Sequence, residues 1–406
     1  MLEEPYLCEF CVADNELSVE LQERGTVVEN CRICHHKGGR ALSARDPRVK
    51  RTFRALIRLN FSEWDYNSHI GGHESLEMLV FVSKAIFNLD ESASLEEFEE
   101  AFLTMEEKSW YPDSENDISL GGGYWDGGIL DGLRDRRDST VEDVVSDALK
   151  RNWFEMEPSA RALVQSLRGD LSHVVPTGTE YYRARIGVQS RLKRKRTSPQ
   201  DSQEFRYLPH AGKDIDRPPL AVASEGRFNR ARVSILYLAS DTSTAVAELR
   251  PHPGHLVSTA KFRLKRDLLV ANFAKHDIRN FLSDSRLEDL RRILSMADVL
   301  NVPVQPEHRS LYAVTQLFAD AARAEGFEGL TFRSSVGGGT NLTCFASDAF
   351  EVVAGSEGGQ EVVSLQYRMA EISVLPQDYD QEMFQKDEDS PLATLLHGMA
   401  RQGSER

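Results

Sequence analysis

The chain has 406 residues, which is enough for two or three domains with their own hydrophobic cores. Its formal net charge of -15 argues against a broad surface for nucleic acid or anionic membranes, because phosphate binding depends on lysine and arginine. The sequence has no apolar stretch of about 18 residues, and its acidic start lacks the features of a secretory signal. We therefore expect a cytoplasmic protein without a membrane segment.

The first predicted element is a metal-binding module at residues 1–42. Four of the five cysteines form two CxxC pairs with nineteen residues between the pairs, a spacing typical of a zinc ribbon. The odd total fits a reducing compartment better than a disulfide framework, and so short a segment needs metal coordination to fold. Four unligated buried thiols would require this spacing to arise by chance, and His35 or His36 could replace one ligand. The predicted structural zinc ligands are Cys8, Cys11, Cys31 and Cys34.

Residues 43–170 are predicted to form a helical domain. Apolar side chains recur at three and four spacing between Leu76 and Ile86, and Ser94 with Glu97 predicts a capping box. The glycine and aromatic stretch at residues 121–128 does not follow a strand in a phosphate-binding pattern, so we interpret it as a loop. A structural or partner-binding role fits this domain best.

Residues 171–377 change to period-two alternation with glycine punctuation, which indicates an α+β domain. The basic run 191–196 lies in an insertion, and we interpret it as a solvated loop. Residues 378–406 form an acidic tail. The predicted strands are 180–187, 234–239, 256–264, 329–332, 341–345 and 362–369, and the predicted helices are 278–295 and 310–325.

Four short motifs in this domain place polar residues at the edges of apolar elements. They are YYRAR at 181–185, GRFN at 226–229, LYLASDTSTAVAELR at 236–250 and GLTFRSSVGGGTNLTCF at 329–345. Each residue also has an ordinary structural explanation, since Arg183 could form a surface ion pair, Tyr237 could be a core aromatic, and Glu248 could face solvent after a helix capped by Asp241. The candidate site residues are Arg183, Arg227, Asn229, Tyr237, Glu248 and Ser334.

An arginine, a glutamate and a serine in this order resemble the RES domain, which is named after those three residues. The resemblance covers about half of the chain and implies an ADP-ribosyltransferase-like fold with a split β-sheet. The predicted fold class is therefore α+β, with a zinc ribbon and a helical domain ahead of the RES domain. The helical domain resembles the HEPN-type region found before some RES domains, but the arginine–histidine spacing of HEPN ribonucleases is missing near His69 and His73.

The resemblance also implies a reaction, namely cleavage of the nicotinamide–ribose bond of the substrate NAD. Arg183 and Arg227 would hold the phosphates, with Asn229 also assigned to binding, and Tyr237 would stack on nicotinamide. Glu248 would stabilise the oxocarbenium-like ribose. Ser334, preferred over Ser335 by its position after the strand, would orient nicotinamide or Glu248, and the following glycines would let the loop move.

Three functions follow from this reading. The first is an NAD-consuming toxin or defence effector, acting by hydrolysis or phosphorolysis, with an antitoxin or regulatory protein as partner. The second is a mono-ADP-ribosyltransferase that modifies a protein. The third is a non-catalytic, zinc-dependent adaptor with a degenerate RES domain. A homo-oligomer is compatible with each of them.

Overall fold

The computed structural model describes residues 4–61, 80–81, 84–105, 132–133, 137–195, 202–304, 310–346, 348–366, 369 and 374. The chain divides into two compact units, one of residues 1–138 with 276–295 and one of residues 139–275 with 296–406. Helices and several sheets occur together, which confirms the mixed α+β class. Residues 139–170, assigned by sequence to the helical domain, cluster with the second unit, and the predicted domain boundaries stay a prediction.

The first unit contains a small antiparallel sheet in the order β1–β3–β2. Its helices begin at side-chain caps, since the Asp14 carboxylate accepts hydrogen bonds from two backbone N–H groups at the start of α1 and Asp46 does the same at α2. The Ser94 hydroxyl accepts from the Glu97 N–H ahead of α3, as the predicted capping box requires. The elements are β1 (Tyr6–Cys8), α1 (Asn15–Arg24), β2 (Thr26–Val27), β3 (Arg40–Ser43), α2 (Pro47–Asn60) and α3 (Leu95–Met105).

A cluster of buried phenylalanines forms the core between these helices. The rings of Phe53 and Phe102 meet edge to face with centroids 5.2 Å apart, and those of Phe87 and Phe98 do so at 5.1 Å. Such pairs add to the stabilisation that burial of the rings already gives.

The second unit is built on a large mixed sheet in the order β13–β9–β5–β8–β12–β11–β10–β4, with β14 also paired to β9. Helix α9 packs against α5, and helix α8 is divided between the units after Ser295. The elements are α4 (Ser139–Ala148), α5 (Trp153–Ser166), α6 (Arg168–Leu171), β4 (Ser172–Val175), β5 (Glu180–Ile186), β6 (Ser190–Lys193), β7 (Phe205–Leu208), β8 (Leu236–Ala239), α7 (Thr242–Ala247), β9 (Leu256–Leu264), β10 (Leu268–Asn272), α8 (Asp284–Asn301), α9 (Tyr312–Ala324), β11 (Gly329–Arg333), β12 (Thr340–Cys344), β13 (Phe350–Val352) and β14 (Gly358–Glu361).

The sheet opens between β5 and β8. Strand β5 pairs with β9 along its whole length, from Glu180 opposite Arg263 to Ile186 opposite Val257. By contrast, its register with β8 consists of the pair Tyr182 and Ala239. Where two strands separate, their backbone N–H and C=O groups lose their sheet partners. Other groups must therefore form hydrogen bonds with the backbone along this seam.

Most predicted elements of the second unit are present, with three differences. The strand expected at 362–369 is wrong, because the pairing with β9 is made by β14 and no strand is described at 362–366. Strands β4, β10, β13 and β14 were missed. The described part of the basic run is exposed, as predicted, but residues 191–193 are strand and not loop. Strands β6 and β7 pair as a hairpin in which the Arg191 guanidinium lies 3.8 Å from the Phe205 ring centroid. The predicted loop at 121–128 and the tail at 378–406 lie outside the described residues.

Among the described residues, no helix combines the length and the apolarity that crossing a bilayer requires.

Candidate active site

A cavity of about 420 Å³ lies along the seam between β5 and β8. This volume is in the range of small-molecule sites. Of the six residues selected from the sequence, Arg183, Arg227, Tyr237 and Glu248 line the cavity. Asn229 and Ser334 lie behind the wall and contact two of the lining residues. The four motifs therefore converge on one site.

The carboxylate of Glu248 is delivered by the short helix α7. Asp241 caps this helix by accepting a hydrogen bond from the Thr244 N–H at 2.8 Å, and Glu248 follows its last residue. The Oε1 atom of Glu248 accepts two hydrogen bonds of 2.6 Å, from the Ser334 hydroxyl and from the Asn341 side-chain amide. Both donors share one oxygen, and no residue in the described part of the chain donates a hydrogen bond to the other.

The glycine loop after β11 holds Ser334 in place. Its hydroxyl accepts hydrogen bonds from the backbone N–H groups of Val336 and Gly337, at 3.2 and 2.8 Å. Gly339 approaches α7 so closely that a Cβ there would lie 2.3 Å from the Asp241 Oδ2 atom. The glycines therefore allow close packing against the helix that carries Glu248. The Ser335 hydroxyl, in contrast, is buried without a hydrogen-bond partner in the described part of the chain.

Tyr237 holds the GRFN motif through its hydroxyl. That oxygen accepts a hydrogen bond from the Phe228 N–H at 3.1 Å and donates one to the Asn229 Oδ1 atom at 2.8 Å. The Asn229 amide nitrogen donates to the carbonyls of Ser224, Arg230 and Val233. Burial raises the pKa of the Tyr237 phenol, so it remains protonated. The ring of Tyr237 faces the cavity, while its hydroxyl and the Asn229 side chain shape the motif.

Arg183 bridges the seam of the sheet. Its Nε donates to the Ile215 carbonyl at 2.7 Å, and its Nη1 donates to the Tyr237 carbonyl at 3.0 Å. The second bond runs from β5 to β8 and replaces backbone pairing that the open seam lacks. Burial lowers the pKa of this guanidinium to about 10, so it is still charged at neutral pH.

Arg227 reaches the cavity from GRFN. Its Nη2 donates to the Val302 carbonyl, while its Nε atom is buried and has no partner in the described residues. Burial lowers the pKa of Arg227, and the charge of Glu248 opposes this shift. A half-buried guanidinium with an N–H that no described residue accepts favours an anionic ligand.

Sequence reasoning missed several residues of the cavity wall. Arg250 lies two positions after Glu248. Asn341 is the first residue of β12 whose side chain faces the cavity, shortly after the glycine loop. Tyr312 comes from the start of α9, for which the sequence offers no chemical motif. The missed lining residues with polar or aromatic side chains include Tyr182, Phe228, Arg250, Tyr312, Phe332 and Asn341.

The four N-terminal cysteines also converge, as predicted. Their sulfur atoms lie within 4.8 Å of one another, and neighbouring pairs are 3.4 to 3.6 Å apart. A tetrahedral zinc with Zn–S bonds of about 2.3 Å would set the sulfurs ~3.8 Å apart, so the cluster fits such an ion. All four are free thiols, and the group contains neither His35 nor His36. Helix α1 and β2 lie between the two CxxC pairs.

One family model and one solved structure are similar to part of this chain. The family model of the RES domain matches residues 196–365. A solved structure, titled as the crystal structure of the M.tuberculosis MbcT-MbcA toxin-antitoxin complex, is similar with 12% identity and a TM-score of 0.27, over 50% of this chain and 92% of that chain. No curated protein matches the chain.

Proposed function

We propose that this chain, which contains a RES domain at residues 196–365, is an NAD-cleaving enzyme that acts as a toxin or defence effector. The bond broken is the one between the nicotinamide nitrogen and C1′ of the ribose. Its electron pair leaves with nicotinamide, which becomes neutral. An oxygen of water or phosphate then bonds to C1′ and loses its proton, which makes the enzyme a glycohydrolase or a phosphorylase.

The observation that carries this proposal is the carboxylate of Glu248, held at the cavity wall through one oxygen. As nicotinamide departs, positive charge develops on the ribose, and a carboxylate already positioned beside it stabilises that charge. Ser334 and Asn341 fix the carboxylate before the substrate arrives. Little reorganisation is then needed at the moment of reaction, which is the physical basis of electrostatic catalysis.

The rest of the cavity suits a dinucleotide. Arginines supply positive charge for the two phosphates, and the rings of Tyr237, Phe228 and Phe332 supply faces for nicotinamide and its ribose. The opening of the sheet between β5 and β8 supports an ADP-ribosyltransferase-like fold, in which NAD lies in a split sheet.

The N-terminal module has a separate role in this proposal. Four thiolates and no open ligand position make a closed structural site, so zinc would stabilise this module and take no part in the reaction. An antitoxin or regulatory partner would act by covering the cavity in the second unit.

The test is to incubate the purified protein with NAD in phosphate buffer and in phosphate-free buffer, following nicotinamide and the second product by chromatography. We expect nicotinamide release by the native protein, and a loss of at least ~100-fold in Glu248→Gln, because a positioned charge supplies several kcal/mol to the transition state. A phosphate requirement identifies phosphorolysis, and its absence identifies hydrolysis.

The matched control is Glu351→Gln, an exposed position on β13 outside the cavity, which should retain full activity. Near-normal nicotinamide release by a folded Glu248→Gln variant would remove this residue from the mechanism. Transfer of ADP-ribose to added protein, seen by mass spectrometry without free product, would replace the proposed reaction with ADP-ribosylation.

A further inference from the structure

The cavity is lined by more positive than negative side chains. Three are arginines, at positions 183, 227 and 250, and one is the carboxylate of Glu248. None of these arginines forms an ion pair with a carboxylate within the described residues. The cavity wall therefore has an excess of positive charge, which an anionic ligand would neutralise.

The three arginines do not contribute in the same way. Arg183 uses Nε and Nη1 to hold the carbonyls of Ile215 and Tyr237. These bonds keep the open sheet together in the absence of any ligand. They also orient the guanidinium toward the backbone, which leaves less of its fork for a phosphate.

Arg227 and Arg250 converge on a single segment of the chain. Arg227 donates through Nη2 to the Val302 carbonyl, and Arg250 donates through Nη1 to the Val304 carbonyl at 3.0 Å. Each arginine uses one terminal nitrogen for these bonds, so the other guanidinium N–H groups remain for a ligand. The Nε atom of Arg227 is buried without a partner in the described part of the chain. The positive charge of Arg250 adds to burial in lowering the pKa of Arg227, which shows that the two cations lie near each other.

The backbone at Arg250 is also unusual. Its φ angle is +47°, in the left-handed region that residues with a Cβ rarely adopt. The turn is held by a hydrogen bond of 2.9 Å from the Arg250 N–H to the Ala247 carbonyl. Strain of this kind tends to occur where a side chain must be aimed at a ligand.

We infer that Arg227 and Arg250 together form the subsite for a diphosphate group, and that Arg183 mainly holds the seam of the sheet. A diphosphate offers two adjacent anionic phosphoryl groups, and two guanidinium forks on neighbouring carbonyls can each bind one of them with paired hydrogen bonds. The identity of the full ligand as a dinucleotide rests on the proposed function. The diphosphate subsite itself rests on the geometry of the two arginines.

The experiment measures binding rather than turnover. Inorganic pyrophosphate, ADP and adenosine are titrated into the full-length protein by calorimetry, with Arg250→Gln, Arg250→Lys and Arg227→Gln as variants. We expect ADP and pyrophosphate to bind and adenosine to bind far more weakly. We expect Arg250→Gln to weaken ADP by at least ~10-fold, as the loss of a charge-assisted pair predicts, and Arg250→Lys to recover part of that loss.

The control is Arg232→Gln, because Arg232 also has a left-handed φ, of +64°, but does not line the cavity. It should bind ADP like the native protein, and unfolding midpoints should show that all variants are folded. Undiminished ADP binding by Arg250→Gln, or no pyrophosphate binding by the native protein, would overturn the subsite. Diphosphate binding without NAD cleavage would instead keep the subsite and reject the proposed function.

Discussion

The cysteine cluster and the active-site cavity are both sets of polar groups brought together from separate motifs, but they differ in how those groups are satisfied. The four thiols have one another as near neighbours, with sulfur atoms 3.4 to 3.6 Å apart. In the cavity, Tyr237 binds the GRFN motif, Arg183 binds two carbonyls, and Ser334 binds Glu248. We propose that an added ion joins the cluster, whereas the cavity is assembled by its own side chains.

This difference shows what a motif in a sequence can mean. In the proposed zinc site, each selected residue has one role, which is to supply a ligand atom. In the cavity, a selected residue can have two roles. The hydroxyl of Tyr237 holds the GRFN motif by hydrogen bonds, while its ring lines the wall. A polar residue that recurs in a binding motif can therefore be needed for the shape of a site without touching its ligand.

Metal removal should give the largest effect, because it breaks the cluster and leaves the hydrogen bonds of the cavity untouched. Metal analysis should find about one zinc per chain, and Cys31→Ser should lose it. Since structural zinc sites contribute on the order of 10 kcal/mol to folding, residues 6–43 should lose their protection from amide hydrogen exchange.

The matched control for the cluster is the fifth cysteine. Cys344 lies in the hydrophobic core of the second unit, and burial raises the pKa of its thiol to about 11. Cys344→Ala should keep the full zinc content. Purified native protein without bound metal, yet with protected amides in residues 6–43, would contradict the prediction.

Tyr237→Phe tests whether the hydroxyl of the cavity tyrosine is structural. The change leaves the Phe228 N–H and the Asn229 Oδ1 atom without their partner, so we expect a loss of ~2 kcal/mol in the free energy of unfolding, measured with denaturant. Tyr312→Phe is the control, because that hydroxyl has no hydrogen-bond partner in the described residues, and it should change stability by less than ~0.5 kcal/mol. Unchanged stability with lost turnover in Tyr237→Phe would make the hydroxyl catalytic instead.

The sequence predicted which side chains come together better than it predicted the groups that hold them. Spacing was sufficient for the four cysteines, because their ligand atoms come from two short turns. Glu248 and Ser334 were found because they stand in a recognisable order. Asn341 and Arg250 were missed because their roles depend on which strand pairs with which and on a single left-handed residue. The hairpin β6–β7 was missed because its charge suggested a solvated loop.

The smallest expected effect is that of Asn341→Ala. This change tests whether orienting the carboxylate of Glu248 is separate from binding the substrate. Removing its amide leaves Glu248 with the Ser334 hydrogen bond alone, so the carboxylate is less firmly held. We expect Asn341→Ala to lower kcat for nicotinamide release by ~10-fold with little change in KM, because orientation matters mainly in the transition state. Steady-state kinetics at several NAD concentrations measure both constants.

A double-mutant cycle decides whether this effect passes through Glu248. If Asn341 acts by positioning the carboxylate, then adding Asn341→Ala to Glu248→Gln should leave the residual rate of that variant unchanged, since the charge to be oriented has already gone. If Asn341 instead supports the general packing of β12, the second change should lower the rate again and reduce the unfolding midpoint by the same amount in both backgrounds. The two outcomes distinguish a cavity that is preassembled around one carboxylate from one in which Asn341 is merely part of the wall.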